Sequence, residues 1–110
     1  LRKLAERNQR FSEEGSRELQ SLMREVESMY GEAVSAFVTR DERAAEIVIA
    51  RKKVVGQRER QLRIAHIHRL QKGTPESLES SAAHLDILSS WKVIASHCAS
   101  IAYNVIQMDA

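Results

Sequence analysis

Lys72-Gly73-Thr74-Pro75-Glu76-Ser77 separates two long patterns of charged and apolar residues and contains the chain's single proline. Gly73 suits the position just past a helix C-terminus, where the backbone turns left-handed at little cost to a residue without Cβ. Thr74 can cap the free amides of a following helix whose first residue is Pro75, a position that needs no N–H. One helix therefore ends in this stretch and another begins. A connection this short predicts two helices running antiparallel and in contact.

Upstream, Thr39 and Asp41 interrupt the pattern again, and either can cap a helix with Glu42 and Glu46 near its positive end. The second helix is thus expected from Glu42 to Lys72, with Ala45, Val48, Val55, Leu62, Ala65 and Leu70 on its apolar face. Arg51, Arg58 and Arg69 intrude on that face at helical spacing, which predicts stems along the seam and charges reaching water. Before it, Leu19, Leu22, Val26, Met29, Ala33 and Ala36 alternate spacings of three and four, the seam of a bundle helix, and Leu4 and Phe11 extend it backwards. Gly15 is the weak point of that helix, costing about 1 kcal/mol relative to alanine. Residues 1–10 read as a connecting helix from an upstream part.

The third helix is expected from Pro75 to about Met108 on the stripe Leu78, Ala82, Leu85, Leu88, Ala95, Ala99, Ala102 and Ile106. Small residues in its second half predict close approach of a neighbour. No strand pattern competes, so the expected fold is all-α: an antiparallel three-helix bundle of long helices, with turns near Arg40 and Gly73.

With 110 residues the chain is one domain. Its net charge of +2 is small but unevenly placed. Residues 1–40 carry seven basic and seven acidic side chains, residues 41–73 nine and four, and residues 74–110 one and four. Six of the basic ones, Arg51, Lys52, Lys53, Arg58, Arg60 and Arg63, form a run interrupted by the single acid Glu59. That run reads either as a solvated helix face or as a contact surface for an acidic partner or an anionic lipid surface. Nucleic acid is not expected, because aromatics are not interleaved with the charges and the overall charge is low.

Cys98 is the single cysteine and excludes a disulfide within the chain. It adjoins His97, but neighbours on a helix point about 100° apart and do not make a nucleophile and its base. His66 and His68 lie about 200° apart around a helix, and His84 and His97 are separated by roughly 20 Å of one, so neither pair shares an ion. A cross-helix pairing of His66 with His97 is open. The sequence has no glycine-rich phosphate loop and no nucleotide fingerprint, and neither an enzyme nor a cofactor is expected. No apolar run approaches the roughly 18 residues of a membrane span. The chain opens at Leu1 rather than Met, which suggests a piece of a larger protein.

Arg63-x-x-His66-x-x-Arg69-Leu70, followed by Leu85-Asp86-Ile87-Leu88, then His97 and Ile101-Ala102, resembles the PhoU-like domain. The resemblance is closest to the kind that follows the membrane part of bacterial sodium/phosphate cotransporter-family proteins. It implies a non-catalytic regulatory or interaction domain on the cytoplasmic face of the inner membrane. Its implied partners are the membrane-embedded part of the parent transporter and, because PhoU proteins commonly carry two such units, a second copy as a homodimer. A free-standing phosphate-signalling adaptor of the PhoU kind is the alternative, and a metal-binding helical bundle a more distant one. The acidic positions through which the family binds metal fall here on Gly56, Lys92 and Ser96. Metal binding in the family manner is therefore not expected, since a hard cation needs anionic oxygens.

Overall fold

The computed structural model describes residues 13–73 and 78–108. It is a three-helix bundle about 53 × 27 × 16 Å in extent. Helix α1 spans Glu13–Thr39, α2 spans Glu42–Gln71 and α3 spans Leu78–Met108, each packed on the other two. Among the described residues there is no strand.

The ends of the helices follow from local chemistry. Arg40 adopts φ 54°, the left-handed turn that reverses the chain between α1 and α2. Asp41 is the N-cap of α2: its carboxylate accepts from the Ala44 amide at 3.1 Å. Thr39 does not share that task, because its hydroxyl donates back to the Ser35 carbonyl at 2.8 Å. At the other end of α2, Gly73 takes φ 83° and its amide closes on the Leu70 carbonyl. The expected glycine stop is therefore in place, while the Thr74 and Pro75 start of α3, residues 1–10, Leu4 and Phe11 lie outside the described residues.

All six expected seam residues of α1, Leu19 to Ala36, are buried, and Gly15 is buried with them. On α2 the upper seam of Ala45, Val48 and Val55 is buried, but Leu62, Ala65 and Leu70 are only half-buried. The deepest positions of its lower half belong to Glu59 and His66. On α3 Leu88, Ala95, Ala99 and Ala102 are buried as expected, Leu85 and Ile106 are half-buried, and Ala82 is exposed. Ser80, Ser81 and His84 take the inward positions at that end instead.

The bundle accordingly has two unlike halves. Near the Arg40 turn the core is made of small apolar groups, with Ala33, Ala36, Ala45 and Ala102 all fully buried, so the helices approach closely. Near the Gly73 turn it is polar and must be hydrogen-bonded. Leu22, Val26 and Met29 of α1 are fully buried between these halves. Replacement of Leu22 by alanine is expected to lower stability by about 2–5 kcal/mol, read as a shift in the urea midpoint with unchanged slope.

Candidate functional site

The polar half of the core is built where α2 meets α3. Arg63 donates through Nε to Glu59 Oε1 at 3.0 Å, and a second bond runs from its Nη2 to the same oxygen. The same Nη2 reaches Ser89 Oγ at 2.6 Å and the Leu85 carbonyl at 3.5 Å on α3. Glu59 is only 3% exposed, so this guanidinium is what makes burial of its charge tolerable. About one turn beyond Arg63, His66 stacks on His84 of α3, with ring centroids 4.1 Å apart and planes 8° from parallel. Ser81 Oγ and His66 Nε2 share a 2.8 Å hydrogen bond. The cross-helix partner of His66 is therefore His84, while His97 lies exposed on the outer side of α3 in a shallow groove with Asp86 and Val93.

A second set of contacts joins α2 to α1. Arg69 forms a fork with Glu18, at 2.7 and 3.2 Å, and Glu14 lies 3.8 Å from it. Arg58 lies 3.3 Å from Glu25 and donates to Ser21 Oγ at 2.6 Å. Arg51 pairs with Glu32 and donates to the Glu25 carbonyl at 3.2 Å. Glu18, Glu25 and Glu32 are seven residues apart, one flank of α1, and Arg69, Arg58 and Arg51 descend the facing flank of antiparallel α2. The arginines that interrupt the apolar face thus do lie along a seam, each with an acid opposite.

These pairs divide the six candidate contact residues. Arg51, Arg58 and Arg63 pair with acids of the bundle, Arg58 while itself exposed, whereas Lys52, Lys53 and Arg60 are exposed with no such pair among the described residues. Of the remaining motif residues, Arg69 is 14% exposed on its side chain, Leu70 is half-buried and Asp86 is exposed.

Gly56 lies seven residues before Arg63, two helical turns, so on the antiparallel partner it is level with the segment from Lys92 to Ser96, two turns beyond Leu85 and Ser89. Gly56, Lys92 and Ser96, the positions singled out above, are therefore level with one another where α2 runs beside α3. A Cβ at Gly56 would meet nothing within 4 Å. Lys92 is exposed and the Ser96 hydroxyl donates to the Lys92 carbonyl at 3.3 Å. Among the described residues no three His, Cys, Asp or Glu side chains come together as a metal site. On the opposite side of the bundle Val34 and Phe37 of α1 and Ile101 and Asn104 of α3 line an apolar groove of about 210 Å³. Cys98 packs in the core, and burial pushes its thiol above the ordinary value, its own backbone hydrogen bond acting the other way.

Sequence reasoning placed the helices but not Glu59, His84, Ser81 or the α1 glutamates in these roles. The seven-residue spacing of Glu18, Glu25 and Glu32 was the available signal.

Three long helices, a small-residue seam at one end and a His-Arg polar clasp at the other define an all-helical bundle domain. The PhoU domain matches residues 19–105, and the chain belongs to that family. A relative from Salmonella typhimurium strain LT2, named "Putative inorganic phosphate export protein YjbB", is 33% identical over 97 residues. That match covers 88% of this chain but 18% of the relative, so the chain spans under a fifth of the protein it resembles. No solved structure matches. No helix among the described residues is long and apolar enough to cross a membrane.

Replacing Arg63 with alanine leaves Glu59 buried without its guanidinium and is expected to cost about 2–4 kcal/mol. Arg51→Ala, at a more exposed pair, is expected to cost below about 1 kcal/mol. Denaturant titration of both variants checks the contrast. For Cys98, a raised thiol leaves less thiolate at neutral pH, and burial blocks access. Maleimide labelling is expected to be slow in the native protein at pH 7, to speed up as pH rises, and to become fast in denaturant.

Proposed function

We propose that this chain is a non-catalytic regulatory or interaction domain of a sodium/phosphate cotransporter-like membrane protein, working on the cytoplasmic face of the inner membrane. The observation that carries the reading is the relative: most of this chain is similar to a small part of a much longer protein whose name concerns phosphate export. Membership of the PhoU family supports a phosphate-related role over the greater part of the chain.

The chemistry of the described residues supports binding over catalysis. Cys98 is buried with its thiol raised, and Arg63, His66 and His84 hold helices together. The apolar groove between Val34, Phe37 and Ile101 supports packing against a further helical unit, from the membrane-embedded part of the parent or from a second copy. A free-standing phosphate-signalling adaptor is the second reading, which membership of the PhoU family supports as well.

The experiment is to recover the intact coding sequence and delete this domain from it. Membrane spans in the same chain are expected, with transport of radiolabelled phosphate persisting after the deletion but losing its response to phosphate supply. A complete chain without spans would overturn the transporter reading in favour of the adaptor.

A further inference from the structure

The internal ion pairs leave Lys52, Lys53 and Arg60 of α2 without a paired acid among the described residues, and Glu46, seven residues before Lys53, bounds their side of the helix. Arg51, Arg58, Arg63 and Arg69 meet acids on α1 or α2, whereas Lys52, Lys53 and Arg60 are exposed and no acid pairs with them among the described residues. Lys53, Gln57, Arg60, Ile64 and Ile67 follow at spacings of four and three, one stripe on the outer side of α2, and all five are exposed. Their span is about 21 Å along the helix. Ile64 is 48% and Ile67 40% exposed, and Val54 beside Lys53 is 51% exposed. Glu59 is the single acid between Ile47 and Pro75, and it is buried against Arg63.

The face extends onto α3. Lys92 is the only basic residue from Thr74 to the end of the chain, and the register set by Arg63 with Leu85 and Ser89 places it level with Gly56, between Lys53 and Arg60. Four cations from two helices therefore surround a glycine whose missing side chain leaves open space. The opposite side of α2 is buried in the bundle, so this face is presented as a flat surface and not as a free helix.

We infer that this face, Lys52, Lys53, Arg60 and Lys92 with Ile64 and Ile67 continuing it beyond Arg60, docks on an anionic lipid surface. The inference rests on the membrane-protein reading above. Charge alone would suit any acidic partner, but exposed Val54, Ile64 and Ile67 adjoin the lysines and Arg60 on one side of the helix, a combination of cations and aliphatics that suits an element lying in the headgroup region. A single free phosphate would engage a few cations and leave the isoleucines in water. Anionic headgroups attract each nearby Lys or Arg by roughly fivefold in partitioning, provided contact is within about a Debye length of 8 Å.

The test is co-sedimentation of the folded chain with vesicles of equal parts phosphatidylglycerol and phosphatidylcholine, and with vesicles of phosphatidylcholine alone. Binding is expected to the anionic vesicles only, and to fall steeply as salt is raised. Lys52→Glu with Lys53→Glu and Arg60→Glu should weaken it on the order of a hundredfold or more. Lys92→Glu alone should weaken it several-fold. Ile64→Ser with Ile67→Ser should also weaken it, and its effect should persist at high salt. A control with Arg17→Glu, Arg24→Glu and Arg40→Glu changes the charge equally on other faces and should bind as the parent does.

Absence of binding at low salt, equal binding to neutral vesicles, or equal loss in the control would overturn the proposal. Capture on immobilised polyglutamate but not on vesicles would overturn it in favour of an acidic protein face. Displacement by inorganic phosphate beyond that by chloride of the same ionic strength would do so in favour of a compact anion. None of these outcomes touches the deletion experiment on phosphate transport, so the lipid face and the transporter reading fail separately.

Discussion

Helix α2 cannot be held in place by apolar burial alone, and the rest of the bundle is arranged around that constraint. Its fully buried apolar side chains are Ala45, Val48 and Val55, all in its first half. Burying a valine contributes about 1.5 kcal/mol or somewhat more, and an alanine less, which is little for a helix of 30 residues. The second half turns Glu59 and His66 inward, and buried polar groups are tolerated only where partners meet them. Arg63 with Ser89, and His66 with Ser81 and His84, supply those partners from α3. Three arginine pairs supply a further set along α1. Each exposed pair contributes little energy, but a row of them spaced along a flank disfavours small slips of register, because a shift of one turn would leave the arginines of α2 away from the acids of α1.

That solution has an electrostatic consequence. The arginines facing α1 and Arg63 facing α3 are compensated within the domain, and the positive charge of the middle segment is left to the lysines and Arg60. The bundle thus sorts one basic run into an internal part that fixes helix positions and an external part that is free to meet something else. The opposite side of the molecule, around Val34, Phe37 and Ile101, is apolar and carries little charge. The two exposed surfaces have different chemistry and lie on different sides of a narrow rod.

Family membership and local chemistry bear on different questions here. The PhoU match covers residues 19–105, and within that range Arg63, His66 and Arg69 are the residues that clasp α2 to its neighbours. The level of α2 and α3 at which the resemblance implied acids holds instead a bare backbone at Gly56, an ammonium at Lys92 and a hydroxyl at Ser96 bonded to its own helix. Such a donor set suits anions and disfavours a hard cation. A fold does not fix the charge of its surfaces, which is why function has to be argued from the surface and not from the fold.

The sequence by itself determined the three helices, their two reversals and the seam of α1. Apolar spacing, an Asp cap and a glycine past a helix end are local signals that no tertiary contact had to complete. It also carried the glutamate spacing at 18, 25 and 32, although which helix those acids would face was not legible from it. Only the tertiary structure decided that Glu59, His66 and His84 lie inside while Ala82 lies outside, since hydrophobicity ranks those residues the other way. It alone separated the paired arginines from the exposed lysines and set Lys92 beside Gly56. The physical reason is that a charge is read from composition as one unit wherever it falls, whereas its effect depends on the counter-charge and solvent around it, and both are fixed by packing between segments far apart in the chain.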